Sequence, residues 1–170
     1  MEIKVKRLTD WSVALDAARY TVWKMPIDAK PGDKFRRDIS DSEHSPLRAV
    51  IFQVEMIGIP TAVSVHLVRH KYGVEHFVSS NRADRNGGNE NIGRMSPVNH
   101  MMIINAQELM FISRRRLCRQ AMKETREVWK MVVDELAKVD PIVAAHCVPM
   151  CVYRGRCHEI NPCEESNDNR

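Results

Sequence analysis

Residues 47–70, LRAVIFQVEMIGIPTAVSVHLVRH, change their hydrophobic period within one continuous apolar stretch. The first half alternates around Gln53 and Glu55 and stops at Gly58, which predicts a β-strand. After Pro60, a residue type that suits the first turn of a helix, one helical face is formed by Ala62, Val63, His66, Leu67 and His70. This spacing predicts a helix, with a second strand as the alternative. A strand that leads directly into a helix favours a fold in which helices pack on a sheet.

Three more segments have helical patterns, at residues 8–25, 98–122 and 124–139. Thr9 or Asp10 can cap the first, Pro97 opens the second, and an Asp-Pro step ends the third. Residues 74–85 predict a second strand, whereas residues 26–46, rich in Pro, Asp and Ser, predict mainly loop with one helical turn. The sequence therefore predicts an α+β fold, a small antiparallel sheet packed with long helices.

The length of 170 residues predicts a single domain with its own core, which we place at residues 1–163. The polar residues 164–170 are expected to form a mobile tail. No apolar run approaches the ~20 residues of a membrane span. The N-terminal MEIKVKRLTDW has no apolar signal region, so we expect a cytoplasmic protein that does not contact membranes.

The net charge of +4, from 26 Lys and Arg against 22 Asp and Glu, is mildly basic. This balance suits an anionic small ligand such as a nucleotide at least as well as a nucleic acid. Dedicated nucleic-acid binders have a denser basic stripe, so we do not expect nucleic acid as a partner. The basic residues cluster at 69–71 (RHK) and 114–119 (RRRLCR), where the alternative interpretation is a solvated helix face.

The chain has five cysteines, an odd number that argues against a disulfide framework in a chain without a secretory signal. Those in the last quarter of the chain are Cys147, Cys151, Cys157 and Cys163. Their spacing lacks the Cys-x2-Cys pair of many structural zinc sites. Buried structural thiols are therefore the favoured interpretation, and we expect no metal site.

Polar residues interrupt the apolar face of the third predicted helix. One stripe along that helix comprises Asn105, Leu109, Ile112, Arg116 and Gln120. An arginine on such a face needs an acceptor, because an unpaired charge in a core is costly. The acceptor is either an internal carboxylate such as Glu124 or a ligand.

The basic triplet at residues 69–71, followed seven residues later by Ser79, resembles the Arg-His-Arg, seven residues, Ser signature of the flavin-dependent thymidylate synthases. Residues 105–127 resemble the C-terminal helix of that family, which reads Asn-Ala-Arg, then an arginine, then Ala-Gln-Trp-Glu. The matching anchors are Asn105, Ala106, Arg116, Ala121 and Glu124. The segment before the triplet and the Cys-rich residues 148–163 are also similar, so the resemblance covers most of residues 40–163.

The resemblance implies a compact, phage-type enzyme that makes dTMP from dUMP, with FAD as cofactor and with NADPH and methylenetetrahydrofolate as co-substrates. A reduced flavin supplies a hydride in this family, and no cysteine nucleophile is needed. The resemblance also implies a homotetramer whose active sites are shared between subunits. A phage-encoded enzyme of this kind would work in the host cytoplasm.

The family motifs also imply roles for individual residues. Those expected to bind dUMP are His66, Arg69, Ser79, Ser80, Asn81, Arg94 and Arg116. Arg116 is also the expected catalytic residue, since a preorganised cation can stabilise negative charge on the pyrimidine. Those expected to bind FAD are Arg69, His70, Lys71, Asn105, Gln107, Phe111 and Gln120. Guanidinium, ammonium and hydroxyl groups suit phosphate oxygens because their hydrogen bonds are charge-assisted.

The sequence departs from the family pattern mainly on the flavin side. Lys71 replaces an arginine and loses its bidentate fork, while Ala49, Gln107 and Gln120 replace a histidine, an arginine and a histidine. The spacer holds His-Phe instead of Asn-Glu, and the connection to the third predicted helix is short. Two alternatives stay open. One is C5 hydroxymethylation or a related modification of dUMP or dCMP. The other is a binding module without catalysis, which would contact phosphates through residues 114–119.

Overall fold

The computed structural model of the chain describes residues 1–88 and 91–163 and has the α+β architecture that the sequence predicts. In chain order the elements are β1 (Glu2–Arg7), α1 (Trp11–Tyr20), α2 (Asp33–Asp41), a 3-10 helix (Ser45–Ala49), β2 (Ile51–Pro60), α3 (Thr61–Leu67), β3 (Val74–Val78), β4 (Pro97–Asn105), α4 (Ala106–Arg116), α5 (Lys123–Val139), α6 (Pro141–Ala145) and α7 (Met150–Tyr153). The expected tail at residues 164–170 lies outside the described residues. The assignment of residues 1–163 to one domain stays a prediction.

The strands form one antiparallel sheet in the order β1-β2-β4-β3, with one face buried. The central rows of the buried face pair Phe52 with Ile104, Val54 with Met102, and Met56 with His100. Residues of the opposite parity on β2, such as Gln53 and Glu55, are only half-buried. The period of two in the sequence therefore decides which side of the sheet is covered.

Helices α3 and α5 pack on the sheet and complete the core. Trp129, Val132 and Leu136 of α5 are completely buried, and each contributes roughly 1.5–3 kcal/mol of hydrophobic stabilisation. The indole of Trp129 donates to the Ser113 hydroxyl at 2.9 Å, which satisfies its polar atom inside the core. Among the described residues, no helix has the combination of length and hydrophobicity that a membrane span requires.

The junction between β2 and α3 confirms the predicted change from strand to helix. Gly58 has a φ of +69°, where the register between β2 and β4 shifts, and Pro60 then caps α3. The first α3 amides donate to carbonyl groups of the segment that precedes β4, Thr61 to Ser96 and Ala62 to Arg94. Because no loop separates the two elements, the position of α3 is set directly by the sheet.

The structure corrects the prediction of a helix over residues 98–122. Residues 97–105 form β4, and α4 begins only at Ala106, where the Asn105 side chain accepts from the Glu108 amide at 2.9 Å. Buried Val98, His100, Met102 and Ile104 alternate along β4 with exposed or half-buried neighbours. The segment is apolar at both helical and strand periods, and pairing with β2 and β3 decides in favour of the strand.

Several further elements were not expected from the sequence, among them α2 and β1 and the short helices after residues 44, 140 and 149. Residues 33–41 form α2, where the sequence predicts only one helical turn within a loop. Residues 2–7 form β1, which pairs with β2 along its length and buries Ile3. An edge strand this short has little local signal, because its stability comes from the partner strand. Asp10, and not Thr9, caps α1.

The completely buried carboxylate of Asp140 joins the N-terminal and C-terminal parts of the chain. It accepts hydrogen bonds from the Trp11 indole at 2.7 Å, from Arg36 at 2.8 Å and from Arg7 at 3.2 Å. It also caps α6 through the amide of Val143 at 3.3 Å. These partners compensate the cost of burying the charge, since each oxygen faces at least one donor.

Candidate functional site

Arg116, the last residue of α4, lies against the C-terminal end of α3. Its Nη2 donates to the backbone carbonyl of His66 at 2.7 Å, and its Nε donates to Nε2 of His70 at 3.0 Å. The last carbonyl groups of a helix have no partner within that helix, so the guanidinium satisfies an acceptor that α3 leaves open. Of the two acceptors that the sequence leaves open, a carboxylate such as Glu124 or a ligand, the described contacts of Arg116 include no carboxylate and are instead with these two histidines.

Four cationic or potentially cationic side chains gather around this contact: His66, Arg69, Arg94 and Arg116, which we call the Arg116 cluster. Burial lowers the pKa of Arg116, and the positive charges of Arg69 and Arg115 lower it further. Burial also lowers the pKa of His66, followed in effect by Arg116, Arg69 and Arg94. The structure therefore brings together four of the residues that the sequence predicts to bind dUMP, and their role in binding stays a prediction.

The Arg116 cluster has an excess of positive charge. Within residues 1–88 and 91–163, no carboxylate forms an ion pair with Arg69, Arg94 or Arg116. Arg69 and Arg94 are exposed, and Nδ1 of His66 lies 2.9 Å from the hydroxyl of Thr125. A group of arginines without anionic partners creates a positive potential that attracts an anionic ligand.

His70 lies at the edge of the cluster and is nearly buried, with its side chain 8% exposed. Its Nδ1 lies 3.4 Å from Oε1 of Glu108, opposite the nitrogen that accepts from Arg116. The Phe111 ring contacts the His70 ring edge-on, with centroids 6.2 Å apart. His70 thus connects the Arg116 cluster to the next cavity along α4.

That cavity, which we call the Gln107 pocket, has a volume of about 470 Å³. Its lining residues are Glu43, Arg48, Tyr72, Gly73, Asn105, Gln107, Glu108, Phe111 and Arg114. Three of the predicted flavin-binding residues, Asn105, Gln107 and Phe111, are therefore brought together here. Gln120 is not among them, because α4 ends at Arg116 and the predicted stripe does not continue beyond it.

Both arginines of the Gln107 pocket have partners within the chain, one a carboxylate and the other a neutral amide. Arg114 forms an ion pair with Glu43, and its guanidinium stacks 3.5 Å from the centroid of the Tyr153 ring. Nε of Arg48 donates to the side-chain carbonyl of Gln107 at 2.7 Å. The buried arginine of this pocket therefore has a carboxylate partner without a ligand, whereas no arginine of the Arg116 cluster has one among the described residues.

Gly73 permits a close approach between the loop after α3 and the start of α4. It has a φ of +69°, and a Cβ atom added there would lie 2.4 Å from Nδ2 of Asn105. The Asn105 amide donates to the Gly73 carbonyl at 2.9 Å. Only glycine suits both the backbone conformation and the space, so Gly73 fixes the Asn105 side chain at the pocket wall.

The predicted phosphate-binding residues after β3 do not contact the Arg116 cluster within the described chain. The Ser79 hydroxyl accepts from the Asn99 amide at 2.9 Å and lines a separate cavity of about 620 Å³ beside β3 and β4. Ser80 accepts from the Arg82 amide at 3.3 Å, and the Asn81 carbonyl accepts from Asn86 at 3.1 Å. Lys71 is exposed.

The C-terminal segment forms a third cavity, of about 430 Å³, next to the end of α4. Gln120 lines it and donates to the Asn161 carbonyl at 2.7 Å. The thiols that line it are those of Cys118, Cys151, Cys157 and Cys163. In the part of the chain that the structure describes, no three His, Cys, Asp or Glu side chains converge as metal ligands. Burial raises the pKa of Cys118, which keeps its thiol protonated.

Sequence reasoning missed several residues of the site. Glu108 follows Asn105 by three positions, a spacing typical of the first turn of a capped helix, and this signal could have identified it. Tyr72 and Gly73 follow the basic triplet directly. Glu43 and Arg48 come from the segment before β2, and nothing local in the sequence indicates that they reach α4.

No protein-family model matches the chain, and no curated protein matches its sequence. Its fold is nevertheless that of solved enzymes. It matches the flavin-dependent thymidylate synthase ThyX from Helicobacter pylori complexed with FAD and dUMP, with a TM-score of 0.70, 17% identity, and coverage of 87% of this chain and 100% of that one. A second structure of the same enzyme with FAD and dUMP has a TM-score of 0.71 at 17% identity, with coverage of 87% and 99%.

A third solved structure with this fold is the UMP/dUMP methylase PolB from Streptomyces cacaoi, bound with 5-Br dUMP. The TM-score is 0.59 at 14% identity, and the match covers 85% of this chain and 94% of that one. The fold that the sequence motifs imply is thus confirmed by the architecture.

Proposed function

We propose that the chain is a diverged flavin-dependent thymidylate synthase, an enzyme that modifies a pyrimidine deoxynucleotide at C5. The observation that carries the proposal is the Arg116 cluster, whose arginines have no anionic partner among the described residues. A nucleoside monophosphate supplies that anion, and guanidinium groups bind phosphate and pyrimidine oxygens through charge-assisted hydrogen bonds. The solved enzymes with this fold, which carry dUMP or a dUMP analogue, support dUMP as the substrate.

Arg116 is the residue that we assign to activation of the pyrimidine. Two of its N–H groups are already held, by the His66 carbonyl and the His70 ring. These bonds orient the guanidinium and leave both N–H groups of Nη1 for a ligand. A cation held in advance stabilises negative charge developing on the base without a cost for reorienting it. The fraction of Arg116 that is buried strengthens this effect, because water screens the charge less there.

The Gln107 pocket is the site that we assign to the flavin ring. Phe111 and Tyr72 expose aromatic faces at its mouth, with 43% and 88% of their surface accessible. Asn105 and Gln107 add amide groups that can bond ring nitrogens and oxygens. FAD would supply the hydride, with NADPH as its reductant and methylenetetrahydrofolate as the one-carbon donor. The chain's own part is to hold the ring beside His70, between the pocket and the cluster.

We further propose a cytoplasmic homotetramer, of the phage type, whose sites combine residues from neighbouring subunits. Ser79, Ser80 and Asn81 would meet the Arg116 cluster of another copy, as would the exposed Lys71. This arrangement would explain why these predicted residues make no contact with the cluster inside one chain. A 470 Å³ pocket is also too small for a whole dinucleotide, so part of FAD would lie on a second subunit.

Anaerobic incubation with dUMP, FAD, NADPH and methylenetetrahydrofolate, followed by mass analysis of the nucleotide, tests the proposal. We expect a product heavier by one methyl group and a purified protein with flavin absorbance. A product heavier by a hydroxymethyl group would show that dUMP is the substrate but that the reaction is hydroxymethylation and not methylation. A colourless protein that neither binds nor changes dUMP would overturn the proposal.

In the Gln107 pocket, Arg114 and Arg48 already have partners within the chain. This favours one alternative, a protein that binds the nucleotide without flavin chemistry. The same experiment separates the two, because such a protein would bind dUMP and return it unchanged. A continuous phosphate-contacting face over residues 114–119 is a weaker alternative. Arg114 is buried and paired with Glu43, so it does not contribute to an exposed basic stripe.

A further inference from the structure

His70 stands between a carboxylate and a guanidinium, and both of its ring nitrogens have a described neighbour. Nδ1 lies 3.4 Å from Oε1 of Glu108, and Nε2 accepts from Nε of Arg116 at 3.0 Å. The side chains of His70 and Glu108 are only 8% and 11% exposed. Solvent therefore has little access to this row of three groups, and its hydrogen bonds depend on the proton positions within it.

The proton positions in this row follow from the donors and acceptors. An arginine Nε can only donate, so the Nε2 atom of His70 must carry a lone pair. The proton of a neutral imidazole then lies on Nδ1, where it faces the Glu108 carboxylate. The opposite tautomer would place an N–H of His70 against the N–H of Arg116 and leave the carboxylate without a donor. Arg116 and Glu108 thus favour the same tautomer, in which the Nδ1 proton lies towards the carboxylate and Nε2 accepts from the guanidinium.

We propose that Glu108 is a positioning residue that acts through His70 to orient the Arg116 guanidinium for the substrate. The proposal rests on the proposed role of Arg116 in activating the pyrimidine. A carboxylate that fixes a histidine tautomer is a common second partner at catalytic and metal-binding histidines. Here the oriented histidine ring accepts a hydrogen bond from a guanidinium, where in those sites it would bind a metal.

A second hydrogen-bond chain fixes the backbone of His70 independently of Glu108. Nε2 of His76 lies 2.8 Å from the His70 carbonyl, which can only accept, so this nitrogen carries a proton. Nδ1 of His76 then accepts from Nε2 of His100 at 2.9 Å, and Nδ1 of His100 faces the Ser64 hydroxyl at 3.1 Å. Burial lowers the pKa of His100 to about 4, so it stays neutral. Because His76 already holds the backbone of His70, the role that we assign to Glu108 concerns only the tautomer of the His70 ring.

Three substitutions separate this role from simple packing. In Glu108→Gln the amide oxygen can still accept from Nδ1–H, so we expect the wild-type tautomer and turnover of dUMP within a few-fold. In Glu108→Leu the acceptor is lost, and we expect kcat to fall by about 10- to 100-fold with a smaller change in KM. Met110→Leu, a volume-conserving change at a buried position of the same helix, is the control and should leave both unchanged.

The readout that packing alone would not move is the tautomer itself. In the full-length protein labelled with ¹⁵N-histidine, the His70 signals are identified by their loss in His70→Gln. We expect Nε2 to have the shift of an unprotonated ring nitrogen in the wild type and in Glu108→Gln. In Glu108→Leu we expect the proton to move to Nε2.

The wild-type spectrum tests the inference even if Glu108→Leu fails to fold. A proton on Nε2 of His70 in the wild type would overturn the role of Glu108, and so would an unchanged tautomer in a folded Glu108→Leu protein. Isothermal titration with dUMP is run on the same samples. If the wild type does not bind dUMP, the proposed function fails, and the positioning role fails with it. If dUMP is bound and turned over but the tautomer is wrong, only the inference about Glu108 fails.

Discussion

The Arg116 cluster and the Gln107 pocket are neighbours on α4, but they differ in whether their arginines have partners within the described chain. In the pocket, Arg114 is paired with Glu43 and Arg48 is bonded to Gln107. In the cluster, Arg69, Arg94 and Arg116 have no carboxylate partner within the described residues. A paired site is stable when empty, whereas a site with several like charges gains stability when an anion binds. The difference indicates that the Arg116 cluster, and not the Gln107 pocket, gains stability when its ligand binds.

The same contrast separates the preserved from the altered parts of the site. The nucleotide-side residues Arg69 and Arg116 match the family motif and form the cluster. On the flavin side Gln107 stands where the family has an arginine, and its amide has taken Arg48 as a partner. The neutral Gln107 side chain is thus held by Arg48, which belongs to the same pocket.

The largest expected effect is a loss of turnover when the central arginine of the Arg116 cluster is removed. Arg116→Ala should lower turnover of dUMP by about 10²- to 10³-fold, because it removes the preorganised donor for the pyrimidine. The free energy of unfolding should change by only about 1 kcal/mol, since repulsion from Arg69 is relieved as two hydrogen bonds are lost. Steady-state kinetics and urea unfolding measure the two quantities. Arg115→Ala is the matched control and should keep turnover within a few-fold, because Arg115 points to Glu159. Equal losses in both variants would contradict the assignment.

The second prediction concerns the Gln107 pocket. Here we expect a loss of stability with little change in dUMP binding, the opposite of the result expected for Arg116→Ala. Glu43→Ala leaves the buried guanidinium of Arg114 without its carboxylate, so we expect a loss of about 2–3 kcal/mol in the free energy of unfolding. Affinity for dUMP should stay within a few-fold, because the cluster is untouched. Glu43→Gln keeps an acceptor and should lose less stability. Urea unfolding and calorimetric titration test both. A large loss of dUMP affinity with intact stability would show that the two regions are not separate.

The third prediction sharpens the boundary between the regions, at Gly73. Gly73→Ala should cost about 2–3 kcal/mol, because the new Cβ meets the Asn105 side chain and the residue must keep a positive φ. Gly87→Ala is the control, since Gly87 has a φ of +78° but no atom within 4 Å of the added Cβ. Its cost should be the backbone strain alone, roughly 1–2 kcal/mol. If the two variants unfold at the same urea concentration, the contact with Asn105 is not the constraint.

The smallest expected effect concerns pH. The pKa of His100 falls from its usual 6.5 to about 4 on folding, mainly through burial, so the folded state favours the neutral ring. The stabilisation from this preference is complete above pH 6.5 and is lost as the pH falls from 6.5 towards 4. The full shift corresponds to about 3 kcal/mol, and screening by solvent reduces the expected loss to about 1–2 kcal/mol. Thermal unfolding across this range measures it, and His100→Gln should flatten the curve. An unchanged slope in that variant would assign the acid sensitivity elsewhere.

The sequence alone predicted the elements whose pattern is local. The change of period at Pro60 and the helix over residues 124–139 have strong internal signals. The strand predicted over residues 74–85 begins at Val74 as expected but already ends at Val78. β4 was taken for a helix because Val98 to Asn105 is apolar at both periods, and the pairing that decides between them comes from distant strands. The same limit applies to β1.

For the site, spacing predicted which residues gather but not what they contact. His66, Arg69 and Arg116, which the motif positions assign to one site, lie near one another in the structure. The partners of Arg116 are a backbone carbonyl and a ring at the end of α3, and neither can be read from the composition of α4. Gln120 lies beyond the end of α4 and lines a different cavity from Asn105 and Gln107, and the sequence has no helix-breaking residue at that end of α4 to indicate this.

The buried Asp140 has a consequence for how the chain could be shortened. This one carboxylate, located near the start of the last quarter of the chain, is bound by Arg7, Trp11 and Arg36 near its beginning. A fragment ending before residue 140 would remove the acceptor from all three donors at once and would leave the indole and two guanidinium groups near the N-terminus without their anion. Expression boundaries, tags and split versions of this protein should therefore be placed so that both ends of the chain remain in the same folded unit.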